Sequence, residues 1–181
     1  MSKTQSIMLR HVRCNFPKVF VAEEFNGVKR YSINLMLKEG DENYKKIIAA
    51  CDAVIEAAYP GKLASMKKKF EGSKTTWPIR SDDYGVSITP KRRDDQGMPL
   101  VMDQKKNIIS AESGQLYAGC WVNAAVDIFC YTKNGGGVTC YLNGVQKVKD
   151  DTPLSGAKTP DQIRDAFDVE DTGDDNADEF A

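Results

Sequence analysis

The feature that most constrains the fold is a stretch of strict alternation over residues 120–131. Every second side chain from Cys120 to Cys130 is apolar, and the positions between them, apart from Ala125, carry aromatic or polar side chains. A period of two is typical of a β-strand with one face against a core. Residues 133–137, KNGGG, follow as a flexible loop, and residues 138–148 return as a second strand. This pair predicts a β-hairpin in a mainly β domain.

Further strands are predicted on the N-terminal side of this hairpin. Residues 5–14 form a first strand, which Asn15-Phe16-Pro17 is expected to end. Residues 31–37 alternate after an Asn-Gly turn signal and form a half-buried strand. A short strand is expected at residues 84–90, and residues 62–76 are rich in lysine and too weakly patterned for an assignment.

One helix interrupts the strands, at about residues 41–59. Its apolar side chains recur at helical spacing from Tyr44 to Ala58, and Pro60-Gly61 ends it. Several short strands, long loops and one inserted amphipathic helix indicate a mainly β fold, a small β-barrel with an inserted helix. The OB-fold, a five-stranded Greek-key barrel, has this composition and often binds oligonucleotides. The pattern by itself also fits other α+β folds.

Charge is divided unequally along the chain. Residues 161–181 carry nine acids and one base, a net charge of −8, which leaves +7 for residues 1–160 because the whole chain carries −1. We expect a folded domain over residues 1–150 and a linker with a short helix over 151–167. Residues 168–181 are poor in apolar side chains and should form a disordered acidic tail. A basic body attracts polyanions, and an acidic tail can compete for the same surface.

The sequence carries no enzyme signature. It lacks a Walker A motif, a Rossmann glycine pattern and a nucleophile elbow. Its five cysteines form no C-x-x-C pair and there is one histidine, so buried strand cysteines fit better than a disulfide framework or a zinc site. The start of the chain lacks a secretory signal and no apolar run approaches the ~20 residues that span a bilayer. We therefore expect a cytoplasmic protein.

Two other functions stay open at this point. A metal-dependent nuclease would use two pairs of acids in turns, and an adaptor barrel would bind no DNA at all. The acids of the nuclease alternative are Asp82, Asp83, Asp94 and Asp95.

Cations and aromatic side chains are interleaved along the basic body. Single-strand binders need both, because cations follow the phosphates and flat rings stack on unpaired bases. The candidate cations are Arg80, Lys91, Arg92, Arg93 and Lys147. The candidate stacking rings are Trp77, Tyr117, Trp121, Tyr131 and Tyr141.

The acidic tail places one aromatic ring almost at its end. Repulsion between the acids keeps such a tail extended, and the ring offers an apolar anchor for a shallow pocket on a partner. The candidate partner-binding residues are Asp174, Asp175, Asp178, Glu179 and Phe180.

Four segments resemble a known family. They are YSINLML at residues 31–37, LYAGC at 116–120, VTCYLNGVQKVKDDTP at 138–153 and the ending DEFA. The chain resembles the phage single-stranded DNA-binding proteins, and it shares a plan with the corresponding protein of short-tailed coliphages. The likeness runs from about residue 7 to the C-terminus.

The resemblance implies an OB-fold that binds single-stranded DNA without sequence preference. It also implies a role in phage replication, recombination or repair in the cytoplasm of the bacterial host, with no cofactor and no membrane partner. The acidic tail would dock replication or recombination proteins, such as a polymerase, a helicase or a nuclease, and would shield the DNA-binding groove. A homodimer is compatible with the sequence.

Overall fold

A closed five-stranded β-barrel forms the core of the computed structural model, which describes residues 2–83, 85–154, 158 and 160–170. The elements follow one another in chain order: β1 Thr4–Phe25, β2 Val28–Leu37, α1 Glu42–Ala58, α2 Leu63–Glu71, β3 Ile79–Asp82, β4 Gly85–Ile88, β5 Lys91–Arg93, β6 Leu100–Met102, β7 Trp121–Tyr131, β8 Gly137–Lys149 and α3 Pro160–Asp165.

The barrel closes in the strand order β1-β2-β5-β8-β7 and back to β1. Antiparallel pairs join β1 to β2, β2 to β5, β7 to β8 and β7 to β1. The last junction is parallel, with Lys91 of β5 opposite Tyr141 of β8. The remaining strands extend this ring, since β4 pairs with β2, β3 with β4, and β6 with β8. The prediction of a mainly β, five-stranded OB-fold barrel is confirmed.

The inserted helix is also confirmed, and it packs against β1 and β7. Asp41 caps it, because its carboxylate accepts a hydrogen bond from the Tyr44 N–H at 2.8 Å. Ile47, Cys51 and Val54 are fully buried on its inner face. The spacing of these residues is the helical period that the sequence showed.

The prediction that the first strand ends at Asn15-Phe16-Pro17 is wrong, because β1 continues to Phe25. Its pairing with β2 shifts register between Asn15 and Lys18, and Phe16 has a φ of 44°. A bulge leaves its extra residue unpaired, so Pro17 needs no N–H there. The proline therefore bends this strand without ending it.

A second helix, α2, occupies the lysine-rich stretch that the sequence left unassigned. Phe70 is its one fully buried side chain among mostly exposed neighbours, which is why the apolar pattern was weak. The Phe70 ring packs against Tyr59 with 6.1 Å between ring centroids. An ion pair of 2.8 Å between Lys67 and Asp52 also links α2 to α1.

Some of the sequence predictions fall on residues that the structure does not describe. Tyr84 is one, so the short strand is defined only from Gly85 onwards. The five partner-binding residues of the tail, Asp174, Asp175, Asp178, Glu179 and Phe180, also lie outside the described residues. None of the helices in the described part of the chain is long and apolar enough to cross a membrane.

Replacing Phe70 with alanine tests whether α2 belongs to the core. We expect the free energy of unfolding to fall by about 3–5 kcal/mol, because the change leaves a cavity beside Tyr59. Urea unfolding followed by circular dichroism measures it. Lys68→Ala, an exposed position on the same helix, is the matched control and should change stability little. Equal stabilities for the two variants would mean that α2 is not packed as described.

Candidate nucleic-acid interface

Cations from several strands share one outer face of the barrel. On β5, Lys91 and Arg93 point outwards and lie opposite Ser32 and Arg30 of β2. On the other side of β5, Tyr141 of β8 lies opposite Lys91. Together with Arg80 of β3 and Phe129 of β7, these side chains define what we call the cationic face. Its members are Arg30, Arg80, Lys91, Arg93, Phe129 and Tyr141.

The charges on this face lie close enough to affect one another. The pKa of Lys91 is lowered, first by partial burial and then by the positive charges of Arg80 and Arg30. Like charges held together raise the free energy of the folded chain, and a bound anion relieves that repulsion. The arrangement is suited to a phosphate backbone. Arg30 was not among the candidate residues, although its position on an alternating strand opposite Arg93 could have indicated it.

Two rings lie next to these cations. Tyr141 is 40% exposed, and its ring centroid is 6.2 Å from that of the partly exposed Phe129. The strand pair β7–β8 positions both, since Phe129 lies opposite Thr139, two residues before Tyr141. Alternation places them on the same outer face. Phe129 was also missing from the candidate rings, although its outward position in the alternation of β7 indicated it.

Of the three consecutive cations at residues 91–93, Arg92 is held by hydrogen bonds within the protein. The Arg92 guanidinium donates hydrogen bonds to the carbonyl oxygens of Gln96 and Gly97, each at 2.8 Å, so it holds the turn after β5. Arg93 is exposed and forms a 2.7 Å ion pair with Asp95. An exposed pair of this kind is weak and can exchange for a phosphate.

Trp77 and Tyr131 lie near the start of β8. The Val138 N–H donates to the Thr76 carbonyl at 2.9 Å, which places the half-buried Trp77 beside this strand. Tyr131 packs over Gly137, and a Cβ there would be 2.4 Å from the tyrosine oxygen. A side chain at that position would therefore displace the Tyr131 ring. Both rings contribute to the packing of this end of the barrel.

The other three candidates, Tyr117, Trp121 and Lys147, form a separate cluster with Asp150 and Asp151. The Lys147 ammonium donates to Asp150 at 2.6 Å, and the Tyr117 hydroxyl donates to the same carboxylate oxygen at 2.9 Å. The Trp121 indole N–H donates to Asp151 at 2.8 Å. We call these five residues the acidic clasp. Each of the three candidates therefore donates a hydrogen bond to one of the two carboxylates.

Cations also cover the two rings of the acidic clasp. Lys147 lies over the Tyr117 ring at 5.4 Å, and Lys149 lies over the Trp121 ring at 4.9 Å. Lys147 is six residues beyond Tyr141 along β8, roughly 20 Å at the rise of a strand. The ten candidates therefore lie in separate groups on the barrel. The cationic face contains Arg80, Lys91, Arg93 and Tyr141, whereas Tyr117, Trp121 and Lys147 belong to the acidic clasp.

The acids of the nuclease alternative do not form a metal site. Asp94 accepts a hydrogen bond from the Tyr31 hydroxyl at 3.2 Å, and Asp95 pairs with Arg93. Asp82 is at the end of β3, on a different part of the sheet. Within residues 2–83, 85–154, 158 and 160–170, no group of three or more His, Cys, Asp or Glu side chains could hold a metal ion.

Comparisons with known proteins agree with the barrel fold. The family model described as Enterobacter phage Enc34, ssDNA-binding protein, matches residues 5–180. The solved structure of the single-stranded DNA-binding protein from bacteriophage Enc34 in complex with ssDNA superposes with a TM-score of 0.60 at 25% identity. That match covers 82% of this chain and 89% of the other.

Two further proteins are similar to this chain. Protein p50 of Acyrthosiphon pisum secondary endosymbiont phage 1 is 27% identical over 164 residues, which is 83% of this chain and 86% of p50. The crystal structure of gp2.5, a single-stranded DNA-binding protein encoded by bacteriophage T7, has a TM-score of 0.55 at 17% identity. It covers 94% of this chain and 97% of gp2.5, and at that identity it shows the fold alone.

The acidic clasp should make stability depend on pH. The pKa of Asp151 is lowered below its ordinary value. The main cause is the hydrogen bond from the Trp121 indole N–H, and the hydrogen bond from the Thr152 backbone N–H is the second cause. A carboxyl with a lowered folded-state pKa stabilises the fold above its unfolded pKa of about 3.9, and that contribution disappears as the pH falls through the folded pKa. Asp151→Asn should therefore be less stable than the wild type at pH 7, and the difference should shrink below about pH 4.

Urea unfolding at a series of pH values measures this difference. Asp165→Asn, on the exposed helix α3, is the matched control and should follow the wild type throughout. A constant difference between Asp151→Asn and the wild type from pH 7 to about pH 2.5 would contradict the hydrogen bonding described.

Proposed function

The chain belongs to the family of the ssDNA-binding protein of Enterobacter phage Enc34, and we propose that its cationic face is the surface on which single-stranded DNA lies. Single-stranded DNA binding is the function that the family and the structural match support. The resemblance that the sequence suggested is confirmed, and the family is one of binding proteins, not nucleases. The surface, the biological role and the partners are our proposals.

One observation carries the assignment of the surface. Arg30 and Arg80 are close enough to Lys91 for their charges to lower its pKa, and Tyr141, whose ring is exposed, lies opposite Lys91 on β8. Cations next to an exposed ring are what an unpaired strand needs, because its phosphates require positive charge and its bases require a flat apolar surface. The polar groups of the acidic clasp already form hydrogen bonds with one another, so we assign the acidic clasp no contact with DNA.

Binding by this face should tolerate any sequence. Tyr141 and Phe129 would stack on bases through faces that all four bases possess, and the cations would contact phosphates that are the same at every position. One OB-fold typically covers ~4–16 nucleotides. The protein would therefore coat exposed strands during phage DNA replication, recombination or repair, in the cytoplasm of the bacterial host.

The acidic tail would have two roles. Its acids would compete with DNA for the cationic face, and Phe180 would anchor the tail in a pocket of a polymerase, a helicase or a nuclease. The distribution of charge supports competition between the tail and DNA for the cationic face, because residues 161–181 carry a net charge of −8 and the rest of the chain carries +7. The two roles are linked, since DNA that occupies the face would release the tail for a partner.

Lys91→Ala tests the assigned face. We expect weaker binding to labelled oligo-dT, and the slope of log K against log salt should become shallower by about 0.7, because one phosphate contact is lost. Fluorescence anisotropy at several salt concentrations measures both. Lys45→Ala, an exposed position on α1, removes the same charge elsewhere and should leave the slope unchanged. If both substitutions changed the affinity and the salt slope equally, DNA binding would depend on net charge alone, which would contradict the assignment of the cationic face.

Deleting residues 168–181 tests competition by the tail. Affinity for oligo-dT should rise at low salt, because a tethered anion no longer occupies the face, and the gain should shrink as salt screens the charges. A full-length control replaces the tail acids with asparagine or glutamine, and it should bind like the truncated chain. If the three proteins bound equally at low salt, the tail would not compete.

A further inference from the structure

Two buried cysteines are in contact beneath the acidic clasp. The sulfur of Cys14 on β1 is 3.6 Å from the sulfur of Cys120, the residue just before β7. The backbone also joins them, because the Cys14 N–H donates to the Cys120 carbonyl at 3.0 Å and the Gly119 N–H donates to the Cys14 carbonyl at 2.8 Å. Cys14 and Cys120 directly follow and precede the paired residues Arg13 and Trp121, and paired residues on neighbouring strands have Cα atoms about 4.5–5.5 Å apart. That separation lies within the range that a disulfide spans.

The two thiols differ in their protonation. The contact between the two sulfurs, together with the nearby Lys147 charge, lowers the pKa of Cys120 to about 7. The same contact and burial raise the pKa of Cys14. A thiolate beside a protonated thiol is the usual arrangement of an attacking and a resolving cysteine. Burial raises the pKa values of Cys51, Cys130 and Cys140.

Part of the acidic clasp lies against these sulfurs. The turn 117–119 contacts the Cys14 sulfur, which donates to the Tyr117 carbonyl at 3.3 Å. Residues 151–154 lie against that turn, because the Leu154 N–H donates to the Ala118 carbonyl at 2.9 Å. These residues are mostly exposed and have no regular secondary structure. Segments of this kind open locally at low free energy.

We propose that Cys14 and Cys120 form a redox-active dithiol that hydroperoxides convert to a disulfide. The Cys120 thiolate attacks the hydroperoxide, so an S–O bond forms, the O–O bond breaks, and the alkoxide takes up a proton to leave as an alcohol, or as water from hydrogen peroxide. The Cys14 thiol then attacks the sulfenic sulfur. An S–S bond forms, the S–O bond breaks, and hydroxide leaves with the Cys14 proton as water. Two thiols are oxidised and one hydroperoxide is reduced.

The product would fasten the clasp region to the barrel. A disulfide at this position joins the bend of β1 to the start of β7 and encloses the residues between Cys14 and Cys120. Because the paired strands already hold the two cysteines together, the native fold needs little rearrangement, whereas the unfolded chain becomes more restricted. The oxidised protein should therefore unfold at a higher temperature than the reduced protein, and dithiothreitol should reverse the change.

Thiol counting on the full-length protein tests the proposal. The reduced protein is treated with hydrogen peroxide, denatured in N-ethylmaleimide and weighed by intact mass spectrometry. The number of adducts should fall from the five free cysteines to three, and peptide mapping should find the link between Cys14 and Cys120. Cys14→Ser should give no intramolecular disulfide. Cys51→Ser, the matched control at another buried cysteine, should still form the Cys14–Cys120 link.

Two results would overturn the proposal. One is that all five adducts persist in the folded protein under conditions in which the urea-denatured protein is oxidised. The other is that peroxide links other cysteines instead. Asp151→Asn loosens the clasp and should oxidise faster than Asp165→Asn, and equal rates would contradict access through the clasp. None of these readouts involves DNA, so failure here would leave the DNA-binding proposal standing.

Discussion

The parallel pairing of β5 with β8 is the contact on which the rest of the molecule depends. β5 is only three residues long, and it meets β8 at one position, where Lys91 lies opposite Tyr141. This junction closes the barrel, and it also places a cation beside an exposed ring. Without it, the positive charges of β2 and β3 and the rings of β7 and β8 would lie on separate parts of an open sheet. Architecture and binding surface therefore arise from the same contact.

Much of the fold could be predicted because a few patterns were unambiguous. The alternation of β7 and the helical spacing of α1 each indicate which side chains face the core. The failures have physical causes. Helix α2 buries Phe70 fully and little else, so its periodicity is faint. Pro17 sits at a bulge, where the missing N–H is not needed, so a residue that usually ends strands did not end β1.

The site was harder to predict. The alternation along a strand shows which side chains face away from the core, but it does not show which other residues cover those side chains. Trp121 and Tyr131 do point away from the core, as the alternation indicated. The sequence could not show that Asp151, thirty residues after Trp121, folds back to bond its indole. It also could not show that Arg92 would hold a turn. The segments LYAGC and KVKDDTP, which suggested the family, meet in the structure as the two sides of the acidic clasp.

The central claim is that unpaired DNA lies across the cationic face and away from the acidic clasp. Photocrosslinking of the full-length protein to an oligonucleotide that contains iododeoxyuridine tests it directly, because the excited base reacts with the aromatic ring on which it stacks. Mass spectrometry of the digested complex identifies the ring. The account predicts adducts on the peptides that contain Tyr141 and Phe129. Adducts confined to Tyr117 and Trp121 would contradict it.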